Sequence, residues 1–185
     1  MSEFSRRRFL AAASAPLALA ACGNGVGSGG ADRIDSRTDA AFNFMYDTLP
    51  ETQTLAGKAA GILMVPLVTE AGFGIGGAYG RGALRIDGVT VDYYSTANAS
   101  VGFQIGGQQY SHALFFMTQP ALNNFRTSPG YTAGADIEYA FSSNARTLTT
   151  DTTSLLTPVI GVVFGQAGLL AGASLEGTKY TRIIP

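Results

Sequence analysis

Tryptophan is absent from this 185-residue chain, and histidine and cysteine occur once each, as His112 and Cys22. A zinc site assembled from such ligands needs three or four of them, so a metal centre of that kind is excluded. One cysteine also excludes an internal disulfide. Charge is scarce: 14% of residues are Asp, Glu, Lys or Arg, against about 25% in an average protein. No basic stripe stands out from that background, which removes the electrostatic footprint of a nucleic-acid binder. The longest apolar run, Phe9 to Ala21, is 13 residues, short of the roughly 20 that cross a bilayer as a helix.

What is abundant is glycine, with 24 residues. Aromatic and branched residues are interleaved with those glycines, so the chain reads as ordered and sheet-rich rather than as a low-complexity tract.

The N-terminus speaks of address. The run from Phe9 to Ala21 has the length of a signal-peptide apolar region. Ahead of it, "SRRRFL" resembles a twin-arginine export signal, with Arg6 and Arg7 as the directing pair. "LAAC", Leu19 to Cys22, resembles the lipobox of bacterial lipoproteins, in which the cysteine thiol receives diacylglycerol before cleavage on its N-terminal side. Residues 1–21 are thus expected to be a signal peptide. Residues 22–31 are a lipidated cysteine and flexible tether, and residues 32–185 a single domain. A polyacylated cysteine gives stable anchoring without a spanning segment. Gly23 follows the cysteine, with no aspartate to suggest inner-membrane retention. The expected place is the bacterial envelope, lipid-anchored, on the periplasmic face of the outer membrane. Without residues 1–21, nine basic side chains face twelve acidic ones.

Within the domain, Ile34, Thr38, Ala41, Met45 and Leu49 recur at helical spacing over residues 32–48, with Asp32 or Ser36 as N-cap and Pro50 as stop. Two arginines against four aspartates give that helix a poor polar face for an anionic surface, so it is expected to pack on the domain. Residues 51–60 read as a short second helix and "ILMVP" as a buried strand. A helix from about Gln119 to Arg126 opens at Thr118.

"GFGIGG", Gly72 to Gly77, formally matches the dinucleotide-binding fingerprint. That fingerprint requires a helix to leave it, and Gly80, Gly82 and Gly88 forbid one. From Gly72 the pattern instead has period two. Phe73, Ile75, Tyr79 and Arg81 occupy one face, while the other is almost bare, with Gly72, Gly74, Gly76, Ala78, Gly80 and Gly82. A bare face permits a sharp bend or a close backbone approach. The glycines are therefore assigned to shaping a sheet, and no nucleotide or other cofactor is expected. "GFGIGGAYGRGAL" at 72–84 returns as "GFQIGGQQYSHAL" at 102–114, with seven of thirteen positions identical. Two similarly bent strands are expected, joined through the Asp87-Gly88 hairpin turn. Strands are also expected at 131–141 and about 159–184. The fold class is α+β: a strongly bent, glycine-rich antiparallel sheet or partial barrel with a few short helices.

Catalytic chemistry finds little support. His112 sits inside an alternating strand, no G-x-S-x-G elbow occurs, and Ser111 points to the opposite face. Asp136 and Glu138 share a strand face as possible paired carboxylates, for which solvated edge charges are the simpler account. No enzyme activity is expected.

The segments "ILMVPLVTEAGFGIGGAYGRGAL", "DYYSTANASVGFQIGGQQ", "ALFFMT" and "GLLAGASLEGTKYTRI", in that order, resemble the bacterial branch of the SYLF family. The resemblance implies a lipid-binding, non-enzymatic domain; eukaryotic relatives have phosphoinositide and actin-related roles. Phospholipid is the implied ligand here. Arg81 and Arg85 converge with Lys179 and Arg182 as headgroup ligands if the last strand lies beside the glycine-rich one. The mature chain has just two lysines, Lys58 and Lys179, which departs from what a polyphosphorylated headgroup requires. A structural or scaffolding envelope lipoprotein, binding protein or polymer, is the alternative.

Overall fold

The computed structural model describes residues 28–134, 137–141, 157–168 and 175–185. Along the chain it places α1 (Gly30–Thr48), α2 (Glu51–Ala56), β1 (Gly61–Ile86), β2 (Val89–Phe116), α3 (Gln119–Thr127), β3 (Tyr131–Thr132), β4 (Ile137–Phe141), β5 (Val159–Gly168) and β6 (Lys179–Ile183). The α+β class follows.

The helical spacing of α1 is realised in its burial, since Ile34, Thr38, Ala41 and Met45 are all buried together with Phe42. Its start differs from the sequence reading. Gly29, at φ 69, is the N-cap, and Asp32 lies inside the first turn. There its carboxylate complements the positive helix end without serving as the cap. α2 stops at Ala56, before Gly57 and short of the expected residue 60. α3 opens as its sequence indicates, with the Thr118 hydroxyl accepting from the Ala121 amide at 3.3 Å.

The sheet is dominated by one hairpin. β1 has 26 residues and β2 has 28, against a usual strand of about five or six. Straight strands of that length would extend about 85 Å, so a bend is required to bury their apolar side chains. The hairpin turn has Asp87 at φ 50 and Gly88 at φ 79, the two left-handed positions of a type I′ turn. The sequence suggested that "ILMVP" ends a separate strand, but β1 runs on through Pro66. A register shift between Val65 and Val68 removes Pro66 from the ladder, which is how a residue without an N–H is tolerated there. The Ser111 hydroxyl donates to the Pro66 carbonyl at 2.7 Å. Farther along, Gly72 to Gly77 pair with Gly106 back to Ala99. The two copies of the repeated glycine motif thus meet across the strands at their N-terminal ends, Gly72 to Gly74 opposite Gly106 to Gly102.

On its other edge β2 pairs with β6 through residues 93–97 and with β5 through residues 108–116. β3 extends the β6 end, and β4 lies parallel to β5 at the other end, the one parallel pair in an otherwise antiparallel sheet of six described strands. The expected strand at 159–184 is thus two strands, and that at 131–141 is split as well. Asp136 lies outside the described residues.

The hairpin has two arms, and both turn a face toward one core. Leu63, Val65, Leu114, Phe116, Val159 and Val163 come from the first arm, and Ala78, Leu84, Tyr94 and Tyr180 from the second. α3 adds Phe125, whose ring centroid is 4.7 Å from those of both Tyr94 and Phe116. The alternate residues of the first arm, Met64, Ala113, Phe115, Ile160, Val162 and Phe164, form a second core beneath Ala41, Phe42, Met45, Leu49 and Leu55 of the helices. Each such fully buried large side chain contributes about 1.5–3 kcal/mol. The result is a curled sheet of half-barrel form with α1 laid across it.

Glycine makes the curl possible at one place. A Cβ on Gly80 would lie 2.8 Å from the Leu67 carbonyl oxygen, and one on Gly82 would lie 2.9 Å from the Val65 Cα and overlap the Met64 carbonyl. β1 therefore crosses over itself, and its bare face is where the crossing backbone passes. At Gly77, by contrast, a Cβ would meet only the Asn98 carbonyl oxygen at an ordinary 3.6 Å.

Candidate functional site

Each residue of a helix advances about 100° around its axis. On α1 this sorts the charges. Arg33 and Arg37 fall about 40° apart on one flank of the buried stripe, and Asp35 and Asp39 fall together on the other.

The acidic flank is tied down. Asp35 accepts from the Thr90 hydroxyl at 2.9 Å and from the Tyr93 hydroxyl at 2.7 Å. Burial and the Asp35 carboxylate push the Tyr93 hydroxyl up to about 12. Asp39 pairs with Arg85 at 2.6 Å, and the Arg85 guanidinium carbon sits 5.5 Å from the centre of the Phe42 ring. Arg85 borders a cavity of about 560 Å³ that also has Asp39, Phe42, Asn43, Tyr46 and Asp87 in its wall. With its charge neutralised by Asp39, Arg85 is committed to seating the helix.

The basic flank is not. Arg33 and Arg37 are exposed, and no ion pair holds either of them among the described residues. They line a second cavity of about 310 Å³, between the first half of α1 and the crossing of β1, together with Gly30, Ile34, Pro66, Leu67, Thr69, Tyr79, Gly80 and Arg81. Arg81 Nε donates to the Tyr79 hydroxyl at 2.9 Å. Three guanidinium groups and no carboxylate form the charged part of this wall. Arginine offers five N–H donors in a planar fork that matches phosphate or carboxylate oxygens. An oxyanion is the ligand chemistry that such a wall suits.

The four cations singled out from sequence are dispersed. β6 is hydrogen-bonded to β2, one strand removed from β1. Arg182 pairs with Asp92 at 3.4 Å and donates to the Arg126 carbonyl at 2.9 Å. Arg126 pairs with the same Asp92 at 2.9 Å, so the two arginines tie β6 and α3 to β2. Lys179 is exposed on β6, on the same sheet face as Arg81 two strands away, by way of the pairs Ala97 with Lys179 and Ser95 with Arg81. Only Arg81 belongs to the oxyanion cavity. Arg33 and Arg37 were missed because they read as two of seven scattered arginines. The signal that finds them is the helical sorting of charge by flank. Cys22, Arg6 and Arg7 lie outside the described residues.

His112 is fully buried, its Nε2 lies 3.0 Å from the Tyr180 hydroxyl, and burial holds its pKa down at about 3. Such an imidazole is neutral and closed to solvent. Among the described residues no group of three His, Cys, Asp or Glu side chains is placed to hold a metal ion. No described helix is long and apolar enough to cross a membrane.

Residues 97–182 match the sequence model of the Ysc84 family, described as "Las17-binding protein actin regulator". That match is consistent with the SYLF resemblance read from the sequence. No curated protein matches the chain. The matched span begins within β2, so it takes in β3 to β6 and leaves α1, β1 and the arginine cavity outside it.

Proposed function

We propose that this SYLF-domain chain is a membrane-anchored lipoprotein of the bacterial envelope that binds phospholipid without catalysing a reaction. The observation that carries the reading is the cavity walled by Arg33, Arg37 and Arg81. Three guanidinium groups there, in a chain whose acidic side chains outnumber its basic ones, favour a phosphate-bearing ligand. SYLF domains of eukaryotes are lipid-binding and actin-regulating, and the lipid half of that description suits the arginine wall. Cys22 supplies the anchor, and the twin arginines Arg6 and Arg7 the export route. The thin inventory for acid–base or nucleophilic chemistry supports a binding role over a catalytic one.

The test is vesicle flotation with the chain from residue 23 onward, which retains every residue of both cores. Vesicles containing phosphatidylglycerol are expected to float the protein, and neutral phosphatidylcholine vesicles to leave it behind. Failure to float with either would overturn the reading. Anchoring is tested separately by intact mass: membrane-extracted protein is expected to lack residues 1–21 and to carry acyl chains at Cys22.

A further inference from the structure

Two exposed apolar side chains stand in the wall of the arginine cavity. Leu67 is 39% exposed and Tyr79 51% exposed. They are brought together by the crossing of β1, where Gly80, next to Tyr79, packs against the Leu67 carbonyl. Because that crossing is backbone against backbone, neither side chain has room to withdraw into the core. Each is presented to solvent by a rigid part of the sheet.

Exposed apolar groups alone do not choose a docking face, since Val89 and Val91 are exposed as well, at 65% and 39%. Charge chooses. Val89 and Val91 flank Thr90, whose hydroxyl is held by Asp35, and they follow Asp87 in the turn. On that flank of α1 Asp35, Asp39 and Asp87 face the single cation Arg85, which Asp39 and Thr90 already engage, so it offers an anionic bilayer no net attraction. Leu67 and Tyr79 instead share a wall with Arg33, Arg37 and Arg81. Apolar side chains ringed by arginine match the layered chemistry of a lipid interface, with phosphates outermost and acyl chains beneath. Tyrosine is favoured in that layer because its ring is apolar and its hydroxyl polar. Here the hydroxyl already accepts from Arg81, so ring and guanidinium are held as one unit with its polar end fixed.

We propose that Leu67 and Tyr79 insert into the interfacial layer of an anionic bilayer while Arg33, Arg37 and Arg81 engage lipid phosphates, so that the domain docks with the crossing of β1 facing the membrane. This rests on the lipid-binding reading and adds a face and an orientation to it. Gly30, in the same wall, follows Cys22 by eight residues. That spacing keeps an acylated Cys22 close in sequence to the docking face.

The absence of tryptophan makes the test direct. Leu67→Trp, Tyr79→Trp and Val89→Trp variants of the chain from residue 23 each report one site. With vesicles of phosphatidylglycerol and phosphatidylcholine, Leu67→Trp and Tyr79→Trp are expected to show blue-shifted emission and quenching by brominated acyl chains. Val89→Trp is expected to show neither. A Leu67→Ser variant with unchanged melting temperature is expected to bind more weakly at every salt concentration. Flotation of the parent chain without a shift at either Leu67→Trp or Tyr79→Trp overturns the docking face while leaving lipid binding in place. A shift confined to Val89→Trp does the same. Absence of flotation by the parent chain overturns both.

Discussion

The Nε2 of His112 and the hydroxyl of Tyr180 lie 3.0 Å apart, and the contact joins the two arms of the folded hairpin. His112 pairs within the first arm, opposite Val163 of β5. Tyr180 pairs within the second, opposite Thr96 of β2. Their contact is therefore a polar latch across the core, in addition to the apolar packing around it.

That latch makes stability depend on pH in a defined window. Burial lowers the His112 pKa from 6.5 to about 3, so the folded state takes up no proton between those values while the unfolded chain does. The contribution is fully present above pH 6.5 and is lost as the pH falls toward the folded value. One pH unit below 6.5 the loss is about 1.4 kcal/mol. Since His112 is the only histidine, urea unfolding at pH 7.0 and 5.5 brackets the ordinary imidazole range and reads that group. A His112→Asn variant is expected to be less stable at pH 7.0 and to lose the dependence between these two values. A parent chain equally stable at both would contradict the burial of a neutral imidazole.

The crossing of β1 makes a second forecast. Adding a Cβ at Gly82 or Gly80 places it against the Met64 or Leu67 backbone, and backbone cannot yield as a side-chain tip does. Gly82→Ala is expected to cost about 1–3 kcal/mol. Gly77→Ala, with only an ordinary contact to the Asn98 carbonyl, is expected to leave the melting temperature near that of the parent. Equal losses at both positions would remove the crossing as the reason for the glycines.

How much of this was legible in the sequence follows the range of the interactions. The buried face of α1, the Asp87-Gly88 turn and the Thr118 cap are set by neighbours a few residues apart, and all three are read directly. The bare glycine face announced a close approach, and Gly80 and Gly82 supply one. What approaches is a segment of β1 itself, and no local pattern reveals it, because Pro66 resembles a strand end until the register shift beside it is seen. The arginine cavity was illegible for the same reason. Arg33 and Arg37 share a cavity wall with Arg81 across more than forty residues of chain, which only the tertiary course of β1 brings about. The ties of Arg182 to Asp92 and the Arg126 carbonyl are likewise tertiary details that no local pattern shows.

The two acids on the bound flank of α1 are expected to differ in weight. Asp35 accepts two hydrogen bonds in a partly buried setting, each worth about 0.5–1.5 kcal/mol. Asp39 makes one ion pair from a carboxylate that is 61% exposed, and exposed pairs contribute about 0–1 kcal/mol. Urea titration of Asp35→Ala is expected to show a loss of about 1–3 kcal/mol and Asp39→Ala the smaller loss. The reverse order would mean that the Arg85–Asp39 pair, and not the Asp35 hydrogen bonds, is the stronger polar tie of α1 to the sheet.

Lipid affinity should follow the sorting of cations by place. Arg33, Arg37 and Arg81 share the cavity wall, and a basic side chain at an anionic surface contributes about 1 kcal/mol, or roughly fivefold in affinity. Replacing any of the three with alanine is expected to weaken binding to phosphatidylglycerol vesicles by about that factor. Arg85→Ala and Arg182→Ala remove cations that lie outside that wall and are engaged in ion pairs with Asp39 and Asp92. They are expected to lower the melting temperature and leave the affinity of the folded fraction near that of the parent. Salt separates the charge contribution from insertion, because screening shortens from about 8 Å at physiological ionic strength to about 3 Å at 1 M. In 1 M salt the parent and the three cavity variants are expected to converge on one weak residual affinity, set by Leu67 and Tyr79. If Arg85→Ala or Arg182→Ala weakened binding as much as Arg33→Ala at low salt, the anion would be recognised by the overall charge of the protein, and the cavity would lose its standing as the site.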